Sequence, residues 1–435
     1  MTQAKSVIVK VLVLRGGGGH YATYLAIREV LAQARPSWQA APSFADRLGA
    51  ELEAETHSQP ARKISQVTSS ASDQFYDFIL KNGLGWIHLL TVHIHKLITL
   101  MKHRLDVRLL TQTWKQASPD LVISVVPFQN RALAESLESD FPQVPVVTIL
   151  TDFADSPPAY WMAPTTKNYV LCPSEKAVTQ ALSAGVKANR VIETSGLIIH
   201  PRFYLEASSS EASYEQKSSH SSAPDMAIRR QMLGLNPERM TGLVMFGANG
   251  SKAMLTVAKN LAALGDRIQL IFICGRNYRV AEAIKSCSPS HSLAQKKAVI
   301  GFTRDIPGYM QLADFFIGKP GNVSVSEAIA TNLPTIVEHN WLTLTQEKYA
   351  ADWLKDNQVG LSVRSFKDIA QAVETLIEPQ NFSRYQQNLQ RLENKAVFEL
   401  PEILEQVLAE QTAAKKTKSA RKQRSENQLS TPRNR

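Results

Sequence analysis

Residues 7–14, "VIVKVLVL", are apolar at every position but Lys10, and the run ends abruptly in "RGGGGH". A short run that is apolar on both faces, rather than on alternate residues, predicts a strand covered on both sides of a parallel sheet. The period then changes. In "ATYLAIREVLAQA" (22–34) the apolar positions recur every three to four residues, which predicts a helix. The same rhythm repeats, with strands predicted at 121–127, 144–152 and 168–173 and helical patterns between them. It breaks at "EASSSEASYEQKSSHSS" (206–222), a serine-rich linker or loop insertion. It then restarts, with strands at 241–247, 268–275, 298–302, 313–318 and 334–338. Strands alternating with helices predict an α/β chain with parallel sheets. The expected organisation is one Rossmann-like, doubly wound unit over 1–204, a linker over 205–228 and a second such unit over 229–380. Helices follow over 381–410, then a tail over 411–435. Two such units facing each other create a cleft between the carboxyl ends of their strands, where ligands bind in these folds.

With 435 residues, 44% hydrophobic and 20% charged, the chain has a globular composition and enough length for two or three domains. Its three cysteines, Cys172, Cys274 and Cys287, are scattered and odd in number, which predicts a reducing compartment and neither disulfides nor a zinc site. There is no convincing secretory signal and no apolar run of about 18 residues, so no membrane-spanning helix is expected. The formal charge of +10 is mostly local. The tail after Glu410 carries eight Lys and Arg against Glu426, or +7, which leaves the body near +3. Such a tail predicts disorder; it could lie on an anionic membrane surface, bind nucleic acid, or simply be solvated.

Three strand–helix junctions carry candidate chemistry. "RGGGGH" (15–20) follows the first strand, where Gly17, Gly18 and Gly19 let backbone amides approach a ligand and the helix start favours anions. A dinucleotide fingerprint would need a third glycine at 21, where Tyr21 stands. His20 either packs or caps the helix start, or faces the cleft as a general base. "FGANGSKAM" (246–254) repeats the arrangement in the second unit with Gly247, Gly250 and Ser251. "GKPGNVSVSEAIATNLP" (318–334) places Lys319, Gly321, Asn322, Ser324 and Glu327 at the end of a strand. Ser324 and Glu327 stand in S-x-x-E relation, which reads as a capping box. The alternative puts the amides around Gly321–Ser324 on a diphosphate and the Glu327 carboxylate on the two hydroxyls of a ribose. Spacing alone leaves both open.

The segment 319–334, taken with "GGGGH", "TDFADSPPAYW" (151–161), "CGRN" (274–277), "GFTRDIPGYMQLADFFIGKPG" (301–321) and "TQEKYA" (345–350), resembles the family 28 glycosyltransferases. These include the MurG-type enzymes, monogalactosyldiacylglycerol synthases and processive diacylglycerol glucosyltransferases. The resemblance spans most of 7–380 and rests on the order and spacing of the motifs together. It implies a GT-B fold, in which two Rossmann-like domains face each other, and a UDP-sugar donor. It implies Phe302 beside the uracil, with Arg276 in the neighbouring loop, and Glu327 on the ribose. Gly247, Gly250, Ser251, Gly321, Asn322 and Ser324 would face the diphosphate, and Gln346 and Glu347 the sugar hydroxyls. His20 would be the base. Asp152 would be a second base or an acceptor-orienting group; otherwise it is a strand-end Asp capping its loop. The family inverts the anomeric centre and uses no metal or other cofactor. This chain departs from the family at Phe246, at Ala248, at Ala350 where the family has Asn, and in "EHNWLTL" (338–344).

The acceptor side is less specific. From Trp86 a helix is predicted with Trp86, Leu90, Ile94, Leu97, Met101 and Leu105 on one face, which suits either a membrane interface or a core helix. His88, His93, His95 and His103 do not share a face, so no metal site is expected. The resemblance makes this region part of the acceptor- and membrane-docking surface. The expected activity is transfer of a hexose from a UDP-sugar to a membrane lipid, diacylglycerol first. The protein would be cytoplasmic, held peripherally on the inner face of an anionic membrane, with no specific nucleic acid. The rival readings are N-acetylglucosamine transfer to another lipid-linked acceptor, a UDP-sugar epimerase, and a catalytically silent nucleotide-sugar-binding protein.

Overall fold

The computed structural model describes residues 6–14, 18–45, 85–162, 168–204, 223–287 and 296–429; for 85–96, 223–224 and 414–429 it describes the backbone alone. The serine-rich stretch 206–222, residues 75–84 and Gly17 lie outside the described residues.

The first half runs β1 (Val7–Val13), α1 (Gly18–Ala34), β2 (Trp38–Phe44), α2 (Gly85–Ala117), β3 (Leu121–Ser124), α3 (Asn130–Ser136), β4 (Val146–Ile149), β5 (Asn168–Cys172), α4 (Glu175–Ser183) and β6 (Val191–Glu193). Its six strands form one sheet in the order β2-β1-β3-β4-β5-β6, every pair parallel. The unbroken apolar runs have the physical cause inferred for them. Val9, Val11, Ile123 and Val147 point to one face, against Ile27 and Leu31 of α1. Their neighbours Leu12, Val122 and Val146 point to the other, against Leu110 and Trp114 of α2 and Leu133 of α3. Each of these three strands is therefore buried twice, as the alternation of side chains along a strand requires.

The second half runs α5 (Ala223–Met232), β7 (Met240–Met245), α6 (Ala253–Asn260), β8 (Ile268–Ile273), α7 (Tyr278–Ser286), β9 (Lys297–Ile300), α8 (Ile306–Gln311), β10 (Phe315–Gly318), α9 (Asn322–Ala330), β11 (Thr335–Glu338), α10 (Thr345–Asp356) and β12 (Gly360–Val363). Its sheet has the order β12-β11-β10-β7-β8-β9, again all parallel. The order reverses at β1/β3 in the first sheet and at β7/β10 in the second, and ligands of open α/β sheets bind beyond the strand ends at such points.

Three strands were missed by the hydrophobic pattern: β2, β6 and β12. Each is the edge of its sheet, half-covered, and β2 carries Pro42, which an edge tolerates because one side of its backbone needs no partner.

The chain closes with α11 (Ile369–Ile377), α12 (Pro379–Arg391) and α13 (Ala396–Leu429). The last of these returns to the first half: Val397, Leu400 and Leu404 are buried with Ile27 and Leu31 of α1, and the Tyr169 hydroxyl lies 2.7 Å from Glu410. The expectation of a disordered tail from 411 is corrected here, because α13 continues to Leu429. Residues 411–429 contain no Gly or Pro and are rich in Ala, Lys, Gln and Arg, all good helix formers, so a helix already anchored by packing extends through them.

Candidate functional site

The carboxyl edges of the two sheets meet along a seam built from the loop after β4 and the starts of α9 and α10. Phe153 stacks on Trp353 with centroids 4.9 Å apart and planes 18° from parallel. The Lys176 ammonium lies 3.8 Å from the centre of the Tyr349 ring, and the Ser156 hydroxyl donates to the Thr345 carbonyl at 3.2 Å. Asn322 ties the seam at three points. Its amide nitrogen donates to Asp152 Oδ1 at 2.6 Å and to the Gln346 carbonyl at 3.1 Å, and its Oδ1 accepts from the Phe153 amide at 3.3 Å. The Asn322 side chain is thus committed to the seam. What it offers an anion is the backbone amide of the first turn of α9, where no intrahelical acceptor exists.

On the first-sheet side, His20 sits in the opening turn of α1 with Nδ1 3.1 Å from the Thr151 hydroxyl and its ring 6.0 Å from that of Trp161. Burial lowers its pKa to about 4, with the Val125 carbonyl pulling partly the other way, so the imidazole is neutral near pH 7. Gly18 is open to space, whereas a Cβ at Gly19 would stand 3.2 Å from Val323 Cγ2 in α9, so the glycine run lies directly across the seam. Asp152 has both carboxylate oxygens engaged, Oδ2 by the Trp161 indole N–H at 2.7 Å and Oδ1 by Asn322. Burial raises its pKa to about 7; those N–H donors oppose the rise and the charge of Glu347 adds to it. Of its two expected roles, this geometry suits orientation rather than proton abstraction. Trp86 lies in the second position of α2, where the description is of the backbone alone.

On the second-sheet side, Gly247, Gly250 and Gly275 all take left-handed φ values, +71°, +59° and +57°. A Cβ at Gly250 would collide with the Cys274 carbonyl and one at Gly275 with the Ala248 carbonyl, so the loops after β7 and β8 interlock and only glycine fits. The Arg276 amide donates to the Ala248 carbonyl at 2.9 Å, and the Arg276 guanidinium lies 4.5 Å over the Phe302 ring, which is 46% exposed. The Ser251 hydroxyl accepts from the Ala253 amide at the opening of α6.

The capping box is not formed. Helix α9 starts at Asn322 with Gly321 as its N-cap, so Ser324 is already inside the first turn, and its hydroxyl donates back to the Gly321 carbonyl at 3.0 Å. Glu327 falls in the second turn, out of reach of the cap. Among the described residues its carboxylate makes no ion pair or hydrogen bond, and burial raises its pKa to about 8. A buried carboxyl group with no such partner is a candidate for a ligand's hydroxyls. Gln346 and Glu347 open α10. The carbonyl of Gln346 serves the seam, while Glu347, 8% exposed, accepts from the Lys319 ammonium at 2.5 Å. Sequence reasoning left two participants unassigned: Thr151, whose role depends on a loop 131 residues from His20, and Lys319, whose only signal was a cation closing a buried strand.

Two parallel, doubly wound sheets facing each other define the GT-B class. The comparisons with known proteins carry this to a family. The pattern of monogalactosyldiacylglycerol (MGDG) synthases matches residues 46–199, and that of the glycosyltransferase family 28 C-terminal domain matches 242–340. A probable monogalactosyldiacylglycerol synthase 2 of Oryza sativa subsp. indica is 26% identical over 298 residues, covering 65% of this chain and 58% of that one. The processive diacylglycerol β-glucosyltransferase of Bacillus subtilis is 24% identical over 305 residues, covering 69% and 72%. The crystal structure of Acinetobacter baumannii MurG superposes with a TM-score of 0.52 at 12% identity, over 92% of this chain and 99% of that one, and shows the shared fold. In both halves the chain is thus similar to the family 28 glycosyltransferases, and it shares their GT-B fold. It spans roughly half to two thirds of the length of the plant relatives that it matches.

Proposed function

We propose that this protein transfers a hexose from a UDP-sugar to the free hydroxyl of a membrane diacylglycerol, with inversion at the anomeric carbon. The observation that carries the reading is Glu327, a buried carboxyl group without a partner among the described residues, in α9, the helix whose Val323 meets the glycine loop beside the neutral His20 at Gly19. Glu327 accepts the two ribose hydroxyls. Phe302, under Arg276, flanks the uracil, and the amides opening α9, with the loop at Gly247–Ser251, receive the diphosphate, whose charge the helix start favours. His20 Nδ1 or Nε2 takes the acceptor's proton as the acceptor oxygen bonds to the anomeric carbon. The bond from that carbon to the diphosphate breaks, and UDP leaves with the electron pair. Asp152 holds Trp161 and the seam in place behind this reaction.

The lipid reading draws on the two relatives' names and on α2. Leu97, Leu100, Met101 and Leu105 are exposed there, at 59%, 69%, 78% and 48%, in a helix that also bears Lys102, Arg104 and Arg108. Apolar side chains among cations suit the interface of an anionic bilayer, where diacylglycerol is found. Among the described residues no helix is long and apolar enough to cross a membrane, so attachment is peripheral in this reading. It is assigned to the cytoplasmic face, consistent with the three unpaired cysteines.

The test is a transfer assay with labelled UDP-glucose, UDP-galactose and UDP-N-acetylglucosamine, each with and without diacylglycerol in anionic vesicles. Label entering the lipid from one hexose donor, and lost in Glu327→Ala, is expected. Entry only from UDP-N-acetylglucosamine, or UDP binding without any transfer, overturns it.

A further inference from the structure

Lys319 is a cation placed where the proposed reaction builds negative charge, and nothing above uses it. It is the first residue beyond β10, two before the N-cap Gly321, on the strand next to the switch point of the second sheet. Its ammonium is held at 2.5 Å by Glu347 Oε1. The pair lies directly over the start of α9, because a Cβ at Gly321 would meet Lys319 Cε at 3.4 Å and Glu347 Oε1 at 3.7 Å. The two partners differ in exposure: the side chain of Lys319 is 40% accessible and that of Glu347 only 11%. The lysine can turn toward a ligand; the glutamate is fixed. The charge of Glu347 is also felt by Asp152, so removing the lysine altogether would leave two carboxylates facing each other at the seam.

Resting on the reading above, we propose that Lys319 binds the donor's diphosphate and the departing UDP, and that Glu347 competes for it until sugar hydroxyls take its place. A bare nucleoside diphosphate must draw Lys319 away from a buried carboxylate that receives nothing in return. A nucleotide-sugar supplies both needs at once: phosphate oxygens for the ammonium and hydroxyl donors for Glu347. The pair therefore acts as a specificity device that favours the loaded donor over spent UDP, and it helps product leave after transfer.

The experiment is calorimetric binding of uridine, UDP and UDP-hexose to the full chain and to Lys319→Met, Lys319→Arg and Glu347→Gln. In Lys319→Met, UDP affinity is expected to fall about 10–100-fold, the loss of one charge-assisted contact, with uridine changed less than about twofold. Lys319→Arg should recover most of that loss. In Glu347→Gln, UDP affinity should rise about 3–10-fold, because the competitor for the lysine is gone, and UDP-hexose should lose its advantage over UDP. Equal losses for uridine and UDP in Lys319→Met, or a fall of UDP affinity in Glu347→Gln, would mean a purely structural ion pair and overturn the proposal. Selective binding with no transfer to any lipid would leave this role standing and sink the proposed function instead. No binding of UDP by the unaltered protein would sink both.

Discussion

The two halves of the molecule share one architecture and differ in what their loops present. Both sheets are six parallel strands with the central ones buried on both faces, and both put glycine-rich turns after their first strands. The first presents a histidine stripped of its charge by burial, backed by Thr151 and Trp161. The second presents interlocked glycine turns, an exposed aromatic under a guanidinium, a buried carboxyl group unpartnered among the described residues and an ion pair over a helix start. In the proposed function, one half moves a proton and the other holds an anion and its ribose. The lesson is that a doubly wound sheet supplies the place of the site, at its switch point, while a few loop residues decide what happens there.

The sharpest way to break this division of labour is His20→Ala. Turnover should fall about 10²–10⁴-fold, the range of a lost general base, while UDP affinity stays within about twofold. An equal fall in both would mean that His20 belongs to the donor half. Next comes Glu327→Ala, for which UDP affinity should drop about 10–100-fold with a comparable loss for uridine, since both carry the ribose.

The same residue gives a stability test with a defined sign. Glu327 titrates at about 8 in the fold against 4.5 for an ordinary Glu, so the fold favours its protonated form. The stability this provides is complete below pH 4.5 and is lost as pH rises through 8. Glu327→Gln should therefore be more stable than the unaltered protein by about 1–2 kcal/mol at pH 8 and no more stable at pH 4, read by denaturant melts. An advantage that did not depend on pH would put the effect elsewhere.

The seam itself is tested by Asn322→Ala. It leaves Asp152 Oδ1, the Phe153 amide and the Gln346 carbonyl without this partner, and should cost about 1–3 kcal/mol. The smallest effect is expected on the surface. Leu97→Ser with Met101→Ser should weaken sedimentation with anionic vesicles about 3–10-fold while changing stability by no more than about 0.5 kcal/mol. Unchanged vesicle binding would remove α2 from the membrane reading.

Much of the fold was legible because parallel strands buried on both faces have a pattern that no exposed element shares. The central strands could be read from runs such as "VIVKVLVL" and "IQLIFI", and the edge strand β9 from "AVIGF", whereas the other edges, β2, β6 and β12, could not, because they are half-wet and lack such a run. The tail was misjudged for a related reason. Its charge suggested disorder, yet α13 is nucleated upstream by Val397, Leu400 and Leu404 on the first sheet, contacts that no window of the tail contains.

In the site, residue types and their order along the chain were set locally: glycines where backbones must touch, a histidine and a glutamate at helix starts, a lysine closing a strand. What those residues do was decided between elements. Ser324 and Glu327 have capping-box spacing, and only the start of α9 at Asn322, pinned to Asp152 across the seam, moves Glu327 out of the cap. Asn322 reads as a phosphate-loop residue and its side chain serves as a tie; Asp152 reads as a base, an orienting group or a loop cap, and is held by Trp161 and Asn322. A side chain's charge state depends on burial and on partners more than a hundred residues away, and those distances close only when the two sheets face each other.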